Sequence, residues 1–196
     1  MNNINLNALR DRAYKIACEH GFHNQELSNE HLLCLVISEL MEAVEADRKE
    51  IRSDKFGFDK AIANVHNGEV RGEWFTYVFN RCIKDTVEDE LADSVIRLLD
   101  LAGLRGIDLN LAMKDLNNNI DDMSEACKDE TFTESIYAIS TLPARYDGLY
   151  DFPTTVNDMI MSVFGLACHL DIDLFWHIEQ KMQYNELREK MHGKKY

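Results

Sequence analysis

Two stretches about fifty residues apart constrain this chain more than anything else in it: VISELMEAVEA from Val36 to Ala46, and EDELADSVIRLLD from Glu88 to Asp100. Leu33, Val36, Ile37, Leu40 and Val44 form an apolar stripe around the first. Leu91, Val95, Leu98, Leu99 and Ala102 form one around the second. Both follow the i, i+3, i+4, i+7 period of an amphipathic helix. Each stretch also carries two carboxylates three residues apart, Glu39 with Glu42 and Glu90 with Asp93. A three-residue step turns a helix by about 300°, so each pair projects from one side, one turn apart. On a helical wheel both pairs fall roughly 170° to 240° from the centre of their stripe. If the two helices pack antiparallel, the four carboxylates converge on one spot. Converging carboxylates repel unless they are protonated or bridged by a cation. An all-oxygen donor set suits Mg²⁺ or Mn²⁺. The plainer alternative is two solvated helix faces lying opposite a core stripe.

At 196 residues the chain is long enough to bury a full core. Two prolines and nine glycines, with 45% hydrophobic residues, point to an all-α protein. No apolar run reaches transmembrane length, and the N-terminus does not read as a signal peptide. The five cysteines, Cys18, Cys34, Cys82, Cys127 and Cys168, are odd in number and never form a C-x-x-C pair. Reduced thiols in a cytoplasmic protein are therefore expected. A net charge of −14 argues against long nucleic acid and anionic membranes as partners. It leaves room for a nucleotide whose phosphates ride on bound cations.

The periodicity predicts a first helix from about Asn5 to His20, stopped near Gly21, and an N-cap for the first carboxylate helix at Ser28 or Asn29. His20, His23 and Cys18 lack a second ligand pair at structural-zinc spacing, so a helix end and turn is the better reading. Residues 51–86 are aromatic-rich and broken by Gly57, Gly68 and Gly72. Two short helices are expected there, near 59–66 and 73–84. They form either a satellite core or a lid in which Trp74, Phe75 or His66 meets a nucleobase. Past a break at Gly106, Asp108 is expected to cap a helix carrying Leu109, Ala112, Met113 and Leu116, with helical character fading in NNNIDD.

A weak internal repeat runs through the second half. LAGLRGIDL at 101–109 aligns with LACHLDIDL at 166–174, an offset of 65 that also pairs Val95 with Ile160, Leu98 with Val163 and Asp93 with Asp158. Glu90 meets Thr155, and Thr141 and Ala144 stand where Glu39 and Glu42 would fall. The expectation is one domain over 1–196: a ligand-bearing half, about 1–120, and a degenerate half, about 121–196. The C-terminal end is locally basic on an acidic chain. Lys181, Asn185 and Arg188 fall at i, i+4 and i+7, on one helix face. That is what a phosphate site needs; a charged terminal helix with favourable C-terminal cations reads the same way.

SELMEAVE and EDELAD resemble the E-x-x-E … E-x-x-D signature of the all-α nucleoside triphosphate pyrophosphohydrolases, the group of the MazG-like proteins and the dimeric dUTPases. The K-x-x-x-N-x-x-R segment resembles the phosphate-binding segment of the dimeric dUTPases, and HGKKY resembles a tail common among MazG-like proteins. The resemblance implies a helical bundle of two MazG-like four-helix-type pseudo-repeats, the second degenerate. It implies Mg²⁺ (or Mn²⁺) on Glu39, Glu42, Glu90 and Asp93, which are then the catalytic set. Lys181, Asn185 and Arg188 would hold the triphosphate. The implied reaction is hydrolysis of a nucleoside triphosphate, dUTP as first guess, to a monophosphate and pyrophosphate by a homodimer. Some relatives carry a further Glu where this chain has Val36, which leaves the number of ions open. Two alternatives stand beside this. A ferritin-like di-metal oxidase needs E-x-x-H on two helices, and the sequence has it once, Glu189 to His192. A catalytically silent helical binding protein has no need of four aligned carboxylates.

Overall fold

The computed structural model describes residues 5–63, 71–110, 115–145 and 151–193. All regular structure in them is helical: α1 (Leu6–Glu19), α2 (Asn29–Arg48), α3 (Lys55–Ala63), α4 (Arg71–Cys82), α5 (Val87–Arg105), α6 (Leu116–Ala126), α7 (Phe132–Arg145), α8 (Phe152–His169) and α9 (Leu174–Glu186), followed by a 3₁₀ turn at Lys190–Gly193. Among these residues no single helix is long and apolar enough to cross a membrane.

Helix α5 is the axis of the fold. Thr86 caps its start by accepting from the Asp89 amide, and Gly106 ends it at φ +65. A left-handed residue at that position is what glycine supplies without strain. Leu91, Val95, Leu98, Leu99, Leu101 and Ala102 are all buried, which is more than one stripe. Such a helix must be covered on several sides. Helix α2 covers one. The Val87 amide donates to the Ile51 carbonyl, Arg97 reaches Glu39, and Arg105 reaches Asn29. Residue numbers rise along α2 as they fall along α5, so the pair is antiparallel. Helix α1 is antiparallel to α5 on another side. Tyr14 packs over Gly103, Arg10 donates to the Ile107 carbonyl, and Asn7 holds Asp108 and the Leu109 amide. Helix α9 lies against the N-terminal half of α5 through Lys181. Helix α8, buried through Val156, Met159, Ile160, Val163 and Leu166, joins this core to α6 and α7. Gly165 lets α6 approach α8 where a Cβ would strike Met123.

Several boundaries differ from expectation. The first short helix starts at Lys55, because the Asp54 carboxylate accepts from the Gly57 amide and caps it early. The second spans Arg71–Cys82; His66 lies outside the described residues. NNNIDD is helical, inside α6, where Ile120 and Leu116 pack on the core. Tertiary burial there outweighs the poor helix propensity of three asparagines. Ala112 and Met113 lie outside the described residues. Helices α3 and α4 build a satellite core of Phe58, Phe75, Val78, Phe79 and Ile83, closed by Tyr184 of α9.

Candidate functional site

Because α2 and α5 run antiparallel, their polar faces meet. A carboxylate oxygen from each of Glu39, Glu42 and Glu90 lies within 4.8 Å of the others. Glu39 and Glu90 are buried, while Glu42 is exposed. The group is thus sealed on two sides and open to solvent on the third. A second group shares Glu90: Asp85, Asp89 and Glu90 also bring carboxylate oxygens within 4.8 Å. This buried acidic cluster could hold a metal ion. Asp89 Oδ1 is buried with no hydrogen-bond partner among the described residues, an orphan that a cation would satisfy.

Two cations of the chain itself sit against this cluster. Arg97 places Nε and Nη2 each 2.5 Å from Glu39 Oε1. Lys181 Nζ lies 2.8 Å from Asp89 Oδ2 and 2.9 Å from Asp93 Oδ2. Phe79 and Tyr184 present their rings to the same ammonium at 5.6 and 5.9 Å. Burial disfavours a charged lysine, but Asp93 and Asp89 outweigh it and hold the Lys181 pKa above its ordinary value.

The carboxylates pay for this crowding in their protonation. Burial, then the charges of Asp89 and Asp93, push Glu90 up to about 9, with Glu39 adding and Lys181 opposing. Burial lifts Asp89 to about 6, with Lys181 pulling it down and Asp93 pushing it up. At neutral pH a proton on Glu90 therefore does what a bound cation would do: it removes one negative charge from a buried cluster. Such a donor set fits a hard divalent ion.

A cleft of about 810 Å³, its open mouth included, adjoins the cluster. One end is polar, with Asp93, Arg97, Asn185 and Arg188. The remainder is walled by α1, α2, α5 and Met182 and is largely apolar, the usual make-up of a small-molecule site. Of the basic-face residues, Asn185 and Arg188 reach this cleft. Asn185 is buried with Oδ1 unpartnered among the described residues, and the Arg188 guanidinium lies 5.6 Å from the Tyr184 ring centre. Lys181 is not in the lining; one turn nearer the α9 N-terminus, it is engaged by Asp89 and Asp93. Asp93 likewise stands outside the Glu39–Glu42–Glu90 triple, turned toward Lys181.

Other expected residues are placed elsewhere. Trp74 donates from Nε1 to the Ala61 carbonyl, and Phe75 is buried edge-on to Phe58. Both belong to the satellite core and neither lines the cleft. His20 lies between the Ile16 and Arg188 carbonyls, His23 bonds Asp100, and Cys18 is exposed beside Tyr14, so each of the three has its own partner. The side chain of His192, with Lys194, Lys195 and Tyr196, lies outside the described residues. The sequence reading missed Arg97, Asp85, Asp89 and the His23–Asp100 pair. Arg97 and Asp100 carried a signal, since Glu90, Asp93, Arg97 and Asp100 step along one helix face. Asp89 carried none; only its depth in the fold sets it apart.

No family model, curated protein or solved structure matches this chain.

Proposed function

We propose that this protein is a metal-dependent nucleoside triphosphate pyrophosphohydrolase, releasing a nucleoside monophosphate and pyrophosphate. The observation that carries the reading is the convergence of Glu39, Glu42 and Glu90 across antiparallel α2 and α5, beside a cleft whose polar end carries Asp93, Arg97, Asn185 and Arg188. Glu39, Glu42 and Glu90 would hold Mg²⁺ or Mn²⁺, and Asp93 would join them only by turning from Lys181. That ion supplies charge neutralisation at the phosphates and a more acidic water. Glu90, favoured as its protonated form in the fold, would have to release that proton to hold the ion. A carboxylate of the set receives the proton of the attacking water. Arg188 and Asn185 face the triphosphate from the polar end of the cleft. Lys181 holds Asp93 and Asp89 in place and adds its charge to the field at the phosphates. The water oxygen bonds to the α-phosphorus as the bond from that phosphorus to the bridging oxygen breaks, and pyrophosphate leaves with that oxygen.

The same reading includes the pseudo-repeat. Shifted by 65, α5 (87–105) maps onto 152–170, nearly the span of α8. Each of these helices also has a close-approach glycine under a neighbour, Gly103 under Tyr14 of α1 and Gly165 under Met123 of α6, but the two are three residues out of the 65 register, in which Gly103 meets Cys168. The α8 side lacks the ligand pairs, as in a degenerate half. The resemblance alone favours dUTP as substrate and a homodimer as the assembly.

The test is pyrophosphate release from a panel of dNTPs and NTPs, with Mg²⁺ and with chelator, for wild type and Glu42→Gln. Glu42 is exposed, so its amide leaves the fold intact. Metal-dependent release that the variant loses supports the reading. Full activity in Glu42→Gln removes the metal site. Absence of release from every nucleotide, together with no heat on Mg²⁺ titration, points instead to a catalytically silent binding protein.

A further inference from the structure

Beyond Asp93 the cleft continues along α5. Asp100 stands seven residues further, about 10 Å along the helix axis. That is near the span of a nucleoside 5′-phosphate from phosphorus to the far edge of its base. The walls between are apolar: Ala13, Ile16, Leu32, Leu35 and Ile96, with Met182 from α9. In this apolar stretch His23 and Asp100 form a polar pair. His23 Nε2 lies 2.7 Å from Asp100 Oδ1, with the two side chains only 12% and 19% exposed. The Tyr14 ring packs on His23 at 5.2 Å between centroids and fixes the imidazole from behind. Against a carboxylate, Nε2 is the donor. Asp100 Oδ1 is thereby occupied. Oδ2 takes no hydrogen bond from the described residues, and Asp100 lines the cleft. A phosphate bound at the polar end therefore places its base beside one oriented acceptor in a slot whose other walls are mostly apolar, with the Arg97 cation one turn back along α5 acting on Asp100.

We propose that Asp100, positioned by His23, reads the nucleobase, and that it selects bases carrying an exocyclic amino group (cytosine, adenine or guanine) over uracil and thymine. This rests on the cleft being the nucleotide site of the pyrophosphohydrolase reading. A carboxylate oxygen only accepts. An amino group offers it two N–H donors. The corresponding edge of uracil or thymine presents carbonyl oxygens on both sides of a single N–H, and these face the carboxylate with like partial charge. In a largely apolar slot, a polar group left mispaired is what produces discrimination. The resemblance points to dUTP; the acceptor at Asp100 points away from it.

The experiment has two arms. In the first, kcat/KM for pyrophosphate release with Mg²⁺ is measured on dCTP, dATP, dGTP, dUTP and dTTP for wild type, Asp100→Asn and His23→Gln. The expected result is a wild-type preference of at least about tenfold for one amino-bearing nucleotide over dUTP. That preference collapses in Asp100→Asn through loss of kcat/KM on the amino-bearing nucleotide, and narrows in His23→Gln. In the second arm, the α,β-imido analogues of dCTP, dATP, dGTP, dUTP and dTTP are titrated calorimetrically, which reads the cleft without turnover. Tighter binding of an amino-bearing analogue, erased in Asp100→Asn, sustains the inference even if no nucleotide is hydrolysed and the reaction itself is wrongly assigned. A wild-type enzyme that prefers dUTP or dTTP overturns it. So does an unchanged base ratio in Asp100→Asn, or the absence of binding by every analogue. If Asp100→Asn fails to fold, the wild-type ranking and His23→Gln still decide.

Discussion

Lys181 stands between Asp89 and Asp93, on α9, with its ammonium 2.8 and 2.9 Å from their Oδ2 atoms and almost no exposure to solvent. It ties the last long helix to the carboxylate helix at the point where the acidic cluster is deepest. Removing one partner of a buried ion pair leaves an uncompensated charge, which costs about 3–5 kcal/mol. Lys181→Ala should lose stability of that order in urea unfolding at pH 7. The loss should be smaller at pH 5, because Asp89, with its pKa near about 6, then carries a proton. A loss below about 1 kcal/mol at pH 7 would mean that the ammonium is free for other work.

Glu90 makes the metal-free protein sensitive to pH. Its folded-state pKa, about 9, lies above the ordinary 4.5. The protonated form is therefore the one the fold favours. Its contribution is complete below about pH 4, declines as pH rises, and is exhausted once pH passes the folded value. In chelator, the unfolding midpoint of wild type should fall between pH 5 and pH 9 relative to Glu90→Gln, whose neutral amide cannot ionise. Added Mg²⁺ should reduce the fall in wild type and leave the variant unchanged. Parallel curves for the two proteins would show that Glu90 is ionised in the fold.

Gly165 and Gly106 separate two reasons for a glycine. A methyl at Gly165 would stand 2.8 Å from the backbone carbonyl carbon of Met123 and closer still to its Cβ, so α6 and α8 must part. Gly165→Ala should cost about 1–3 kcal/mol through overpacking. At Gly106 nothing lies within 4 Å, but φ is +65, and Gly106→Ala should cost about 1–2 kcal/mol through backbone strain alone. Chemical denaturation of both variants checks the order; equal costs would place the α6–α8 contact under less compression than the geometry shows.

Much of the fold was legible because it rests on local signals. Asn5, Ser28 and Thr86 cap the helices that follow them, and Gly21 and Gly106 follow helix ends in left-handed backbone. The stripe through Leu98 is buried as its period requires; of the stripe through Leu40, Leu33 and Val36 are buried with it, while Ile37 and Val44 are half-buried. The boundaries of α3 and α4 and the helicity of NNNIDD were less legible. The α3 start rests on Asp54, a local cap that the glycine-broken composition masks, and the helicity of NNNIDD on packing of Leu116 and Ile120 against the core, which neighbouring residues along the chain do not reveal.

The sequence by itself determined that the chain is helical and that Glu39, Glu42 and Glu90 belong to faces able to meet. Periodicity and side-chain direction along one helix are local properties, readable from order alone. Tertiary structure decided what those faces meet. It turned Lys181 inward to Asp89 and Asp93, set Arg97 on Glu39, buried Asp89, and placed His23 on Asp100 at the far end of the cleft. Each of these contacts joins residues at least 58 positions apart, except that the burial of Asp89 has no single partner. Long-range pairing depends on which helix packs against which and at what depth. A helical wheel contains the angle around the axis and nothing of the distance into the core, so charge on a polar face reads the same whether it ends in solvent or in a buried ion pair.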